Sequence, residues 1–273
     1  MLRWFEQNGK DSDVVISSRV RLARNLSKYN FSLKLDNKSA RTMTDKAVNA
    51  IKATIDMNEY TDYDFKNLDK YQKIAMKERH LISDFLLGQQ VAAGFASLNE
   101  NMSIMINEED HLRMQLFGEG IAIEELMNLA IEIDQKLERL VDYAFSEKYG
   151  YLTACPTNVG TGLRVSVMVH LPGLAETGNL NKILHIVNNF GMSVRGVYGE
   201  GSQSMGNMYQ ISNNQTLGLT EQEIVKNMKQ SNIISVLKHF PGYGDNVDTH
   251  TGIAIDERTM EEFEQTDFIP FQS

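Results

Sequence analysis

The chain has 273 residues, with 27 Lys and Arg against 36 Asp and Glu, a formal net charge of −9 and 42% hydrophobic residues. That suits one large domain or two small ones and excludes general disorder. A single cysteine, Cys155, excludes an intramolecular disulfide and a zinc site built from cysteines of one chain. The acidic balance argues against bulk nucleic-acid binding. No stretch approaches the roughly 18 apolar residues of a membrane span, and the opening MLRWFEQNGKDSDVV has charges where a signal peptide needs an apolar run. A cytoplasmic protein with no membrane or nucleic-acid partner is expected.

In chain order, DVVISSRVRLARNL reads as a strand with Arg19 and Arg21 on one face and Val20 and Leu22 on the other. Residues 39–56 read as a helix and SIMINEED (103–110) as a strand. Residues 122–147 have the helical period, with Leu126, Leu129, Ile133, Leu137, Leu140, Ala144 and Phe145 on one apolar face. A short strand YLTAC, the turn PTNVGTG and a strand RVSVMVHL follow, and in the last Val165, Val167 and Val169 alternate with Arg164, Ser166 and Met168. The helix NLNKILHIVNNF ends at Gly191, a C′ glycine. Strands MSVRGVYGE and NMYQISN come next, and Thr220 with Glu223 forms a capping box opening TEQEIVKNMKQ. These elements predict an α+β fold, an antiparallel sheet flanked by helices with one polar, arginine-bearing face. From about Ser231 the chain changes to a turn-rich composition, SVLKHFPGYGDNVDTHTG.

Arg19, Arg21, Arg113, Arg164 and Arg195 fall on strands or strand ends. A half-buried arginine needs an anion, so each either pairs with a carboxylate or contributes to a polyphosphate cradle. A P-loop is excluded, because G-x-x-x-x-G-K-[ST] does not occur. The cluster Asn107-Glu108-Glu109-Asp110-His111 is either a solvated loop or a general base and clamp for a cationic substrate. Glu200, closing RGVYGE, is a second candidate carboxylate. Cys155, ahead of Pro156 and a Gly-rich turn, reads as an inert buried thiol or a reactive one.

NEEDHLRM (107–114), YLTACPTNVGTGLR (151–164), SSRVRLARN (17–25) and RGVYGEG (195–201), in this order, resemble the phosphagen kinases, the ATP:guanidino phosphotransferases. Within that family they resemble the bacterial branch that phosphorylates arginine in proteins. The resemblance runs from about Arg3 to about Gln230. It implies the glutamine-synthetase-like antiparallel fold, with ATP and Mg²⁺ as cofactors. The nucleotide-binding positions it implies are Ser17, Ser18, Arg19, Val20 and Arg21; His80; Arg113; Arg164, Val165, Ser166, Val167 and Met168; and Arg195, Gly196, Val197, Tyr198, Gly199 and Glu200. Glu109 and Glu200 match the acceptor-handling carboxylates, and Cys155 the reactive cysteine. No residue is expected to ligate a metal directly. Implied partners are proteins bearing arginine, a zinc-finger activator, a heat-shock repressor, a Clp-type unfoldase or protease, and a second copy in a homodimer, in a setting of stress response and protein quality control.

Residues 231–273 instead resemble a fragment of family 3 β-N-acetylhexosaminidases, with Lys238-His239 matching a sugar-binding pair and Asp248 and His250 an acid/base dyad. Without a barrel or nucleophile the fragment is not expected to hydrolyse sugars. The expected organisation is a guanidino-kinase catalytic domain over 1–230, lacking its last helices, and a tail over 231–273 that is not a domain of its own. The rival readings are a weakly active nucleotide- or phosphoarginine-binding module, and a kinase of free arginine or another small guanidino compound.

Overall fold

In the computed structural model the described residues are 2–176, 180–189, 191–196, 205–230 and 259. The elements are β1 (Val15–Arg24), α1 (Asn37–Lys52), β2 (Tyr60–Asp64), α2 (Lys70–Glu78), α3 (Asp84–Leu87), β3 (Ala93–Ser97), β4 (Met102–Ile106), β5 (Leu112–Glu119), α4 (Ile123–Glu138), β6 (Phe145–Ser146), β7 (Gly150–Tyr151), β8 (Leu163–His170), α5 (Pro172–Glu176), α6 (Leu180–Asn189), β9 (Met192–Gly196), β10 (Met208–Asn213) and α7 (Glu221–Gln230). Among the described residues eight strands form one sheet, ordered β2-β3-β4-β5-β1-β8-β10-β9, and every pairing is antiparallel. The α+β expectation holds.

The two-residue period of the strands divides the sheet into unlike faces. Val20, Leu22, Ile104, Met114, Leu116, Val165 and Val167 are buried in one core with Met43, Ala47 and Ile51 of α1, Leu126, Ala130 and Leu137 of α4, and Ile224 and Met228 of α7. Helices α1 and α7 start where side chains satisfy their open N–H groups. Asp36 accepts from Lys38 N and Ser39 N, both at 2.9 Å, and Thr220 and Glu223 cap each other at 3.2 and 2.7 Å. Gly191, at φ 75°, follows α6 as the C′ residue.

A smaller core of Phe65, Met76, Leu81, Ile82, Leu86, Ala92, Ala96 and Met105 forms around α2 and α3. Met105 pairs in register with Arg113. This lobe therefore sits on the arginine face, at the β3–β4 side. It leaves the polar surface of β5, β1, β8 and β10 open.

Two expectations are corrected. The helix predicted over 122–147 stops at Glu138, and Leu129, Leu140 and Phe145 are exposed. Its buried stripe is Ile123, Leu126, Met127, Ala130, Ile133 and Leu137. Tertiary bonds override the helical period beyond it, because Ser27 N donates to Asp142 O at 2.9 Å and Ala144 N to Asn25 O at 2.7 Å, drawing the chain along the end of β1. The strand expected over YLTAC is strand only to Tyr151, since Ala154 N turns to Asp110 Oδ1 at 2.6 Å.

Candidate active site

Alternation along β1 places Ser17, Arg19 and Arg21 on the open face, and the register extends that face across the sheet. Arg19 lies between Phe117 and Ser166, Arg21 between Gln115 and Arg164, and Ala23 opposite Arg113. Arg21 and Arg164 are thus like charges directly opposite each other, an arrangement that destabilises a sheet unless an anion intervenes. Burial, then Arg113 and Arg164, bring the Arg19 guanidinium down to about 10. Burial, then Arg113, Arg19 and Arg164, hold Arg21 well below its ordinary value. Neither Arg19 nor Arg21 makes an ion pair with a carboxylate among the described residues. Arg113 does pair, Nη1 to Glu108 Oε1 at 2.7 Å, and keeps a buried Nε without a partner.

His80 reaches this face because it caps the lobe built on α2. Its backbone is left-handed (φ 58°), and its carbonyl accepts from Gln115 Nε2, itself bonded to Ser103 Oγ at 2.8 Å. Burial and the neighbouring Arg19 hold the imidazole below its ordinary pKa. Arg19, Arg21, His80, Arg113, Gln115, Arg164, Arg195, Gln210 and Ser212 line a cavity of about 500 Å³, within the ~300–1,000 Å³ range of ligand sites.

The acidic cluster is the turn between β4 and β5, and it is not a solvated loop. Asn107, Glu108, Asp110 and His111 are buried. Asp110 accepts from Asn25 Nδ2 and Ala154 N, both at 2.6 Å. His111 Nδ1 accepts from Leu26 N at 3.0 Å, which makes Nε2 the donor to Asn30 O at 2.8 Å. These bonds fix the turn and leave Glu109 as the half-buried member, its carboxylate raised above the ordinary range by burial, Asp110 and Glu108. Such a carboxylate, next to cations yet not consumed by them, has the character of a general base.

Across from it runs the loop 155–162. Gly160 (φ 111°) and Gly162 (φ 62°) have no room for a Cβ, which would stand 2.2 Å from Thr216 O and 2.5 Å from Ala23 O respectively. Cys155 is half-buried, its Sγ 3.0 Å from Thr157 Oγ1. A second cavity of about 180 Å³ is lined by Glu109, Cys155, Thr157 and Asn158 together with Arg21, Arg113, Arg164 and Arg195. The two cavities meet at those four arginines.

Of the residues singled out from the sequence, Ser17, Arg19, Arg21, His80, Glu109, Arg113, Cys155, Arg164, Ser166, Met168 and Arg195 lie on or around this face. The side chains of Ser18, Val20, Val165 and Val167 point the other way. The three valines are in the core, and Ser18 Oγ donates to Gly120 O at 2.7 Å. Those four side chains do not reach either cavity, because a strand alternates its faces. Val197, Tyr198, Gly199 and Glu200 lie outside the described residues, as do Lys238, His239, Asp248 and His250 of the tail. Gln115, Thr157 and Asn158 escaped the sequence reading. Gln115 at least carried a signal, standing two residues after Arg113 on the same face.

The fold is that of the guanidino kinases. A solved taurocyamine kinase from Schistosoma mansoni, carrying transition state analog components, superposes with a TM-score of 0.74 at 24% identity, covering 86% of this chain and 34% of that one. A lombricine kinase superposes at 0.72 with 21% identity, covering 88% and 69%. The ATP:guanido phosphotransferase C-terminal catalytic domain matches residues 42–238, and the chain belongs to that family. A protein-arginine kinase of Bacillus cereus (strain AH187) is 43% identical over 228 residues, 83% of this chain and 64% of that protein. Its counterpart in Caldanaerobacter subterraneus subsp. tengcongensis is 46% identical over 223 residues, 80% and 66%. The chain thus spans just under two thirds of the length of these relatives. The glycosyl hydrolase family 3 N-terminal domain matches 205–273 in part, overlapping the kinase family over 205–238, where β10 is an integral strand of the sheet.

Proposed function

We propose that this chain transfers the γ-phosphoryl group of ATP to arginine side chains of proteins. The observation that carries the reading is the junction of the two cavities. A nucleotide-sized space meets, at Arg21, Arg113, Arg164 and Arg195, a small pocket lined by Glu109 and Cys155, and Arg21 there makes no ion pair with a carboxylate among the described residues. The triphosphate would lie along Arg19, Arg21, Arg113 and Arg164, and guanidinium forks suit phosphate oxygens. An arginine guanidinium keeps its proton to above pH ~12 and must lose one as the N–P bond forms. Glu109 would orient the cation and take that proton, with Cys155 beside it holding the guanidinium. Glu200 is the proposed second carboxylate.

Among the described residues no group of three His, Cys, Asp or Glu forms a metal site. Mg²⁺ entering with the nucleotide would supply neutralisation of the charge on the transferred group. The names of the relatives support protein substrates over free arginine. The same resemblance extends the reading to a homodimer, a zinc-finger activator, a heat-shock repressor and a Clp-type unfoldase in a cytoplasmic stress response. No helix of the described residues is long and apolar enough to cross a membrane. The kinase domain is proposed to end near Gln230, so a chain ending there should keep its ATP affinity.

Incubation with ATP and either a protein or free arginine tests the function. Acid-labile phosphate on protein arginine, seen by mass spectrometry, is expected. Transfer to free arginine alone would make it a small-guanidino kinase, and no transfer from a folded, ATP-bound protein would overturn the reading.

A further inference from the structure

Arg24 ends β1, and its side chain goes to the face opposite Arg19 and Arg21, among the apolar residues beneath the small cavity. It is 2% exposed, and all five of its N–H groups are used. Nε and Nη2 donate to Asp134 Oδ2 at 3.0 and 2.6 Å, and Nη2 also to Glu221 Oε1 at 3.1 Å. Nη1 donates to Ala23 O at 3.1 Å and to Thr161 O at 2.8 Å. The guanidinium lies 3.6 Å from the ring centroid of Tyr151, and Tyr143 OH donates to the other Asp134 oxygen at 3.0 Å.

These bonds converge on the loop that carries Cys155 and Asn158. Arg24 holds the carbonyl of Thr161, and Ala23 N donates to Gly162 O at 2.9 Å. A Cβ on Gly162 would stand 2.8 Å from Arg24 Nη1, so the loop rests directly on the guanidinium. Asp134 comes from α4 and Glu221 is the first residue of α7. A buried ion group is poor evidence for stability as such, since well-packed apolar residues do as well. What an apolar residue does not supply is a forked donor that sets the height of a loop carbonyl while gripping two helices.

We infer that Arg24, with Asp134 and Glu221, is a positioning residue for the acceptor pocket, seating the 155–162 loop from below and joining that seat to the start of α7. The inference rests on the small cavity being the acceptor pocket, as proposed above. Arg24 touches neither cavity. Its effect passes through the loop, where a displacement of about 1 Å costs on the order of 100-fold in rate.

The test uses Glu221→Ala, which deletes one of the acceptors at the rim of the group, and Glu221→Gln, which keeps an acceptor oxygen there. Arg24→Lys removes the fork and keeps the charge. Expected for Glu221→Ala is an unchanged ATP affinity by calorimetry, a fall of about 10- to 100-fold in kcat/KM for the acceptor, and a several-fold change in the rate at which iodoacetamide alkylates Cys155. Glu221→Gln should restore most of both, and Arg24→Lys should exceed Glu221→Ala. Unchanged acceptor kinetics and Cys155 reactivity in folded Glu221→Ala would overturn the inference, as would a loss of ATP affinity in step with acceptor kinetics. If Arg24→Lys does not fold, the Glu221 pair decides. If the unaltered protein phosphorylates no arginine, the kinase reading fails separately, and the Cys155 alkylation rate still decides on the clamp.

Discussion

Glu108 holds Arg113 in an ion pair of 2.7 Å, while Glu109, the next residue, accepts no hydrogen bond on its carboxylate among the described residues. One carboxylate neutralises an arginine of the cradle, and its neighbour remains available for chemistry. The separation comes from the turn, whose Asn107 takes φ 61° and sends Glu108 inward.

Glu109→Gln tests this division of labour. The folded state holds Glu109 above its ordinary pKa through burial, Asp110 and Glu108, so ionising it costs more in the folded chain than in the unfolded one. A neutral isostere removes repulsion from Asp110 and Glu108 and should leave the thermal midpoint equal or higher. Turnover should fall about 10²–10⁴-fold, the usual loss for a general base. On the proposed reading, the unaltered protein should lose rate on acidification through a pKa above the ordinary carboxylate range, because protonation removes the base. A pH–rate profile and a thermal melt measure both effects.

Arg21→Met should separate ligand binding from stability in the opposite sense to most core changes. The charged form of Arg21 is disfavoured by burial and by three arginines, so its removal should not lower the ligand-free melting temperature. Each charge-assisted bond to phosphate is worth about 1.5–3 kcal/mol, and ATP affinity should fall by about 10- to 100-fold. Calorimetry showing unchanged affinity would reject the cradle.

Cys155 lines the small cavity with its Sγ toward Thr157. Iodoacetamide should label it, and saturating ATP together with an arginine-bearing peptide should slow the labelling more than ATP alone. Labelling indifferent to both ligands would place the acceptor elsewhere.

Gly162→Ala addresses the loop itself. At φ 62°, with a Cβ position 2.5 Å from Ala23 O, any side chain there is both strained and in collision. Chemical denaturation should show a loss of at least about 1–3 kcal/mol.

The one-dimensional pattern determined which residues share a face within single elements, though not where α4 ends. Alternation along 15–24 put Arg19 and Arg21 on one face, and the Thr220–Glu223 pair marked the start of α7 before any packing was known. It did not determine how charges meet across the sheet. Arg24 stands in the same short motif as Arg19 and Arg21 but is passed over by the sequence reading, although its parity places it on the apolar face, where it needs a buried partner. Asp134 and Glu221, 110 and 197 residues away in sequence, were not legible as that partner. Likewise the NEEDH turn reads as three repelling acids until Asn25, Leu26 and Ala154 converge on it. His80 joins the arginines only because a second small core sets α2 on the open face. Backbone geometry and side-chain period are properties of neighbouring residues. Which carboxylate is neutralised and which stays free is settled by groups that only the folded sheet brings together.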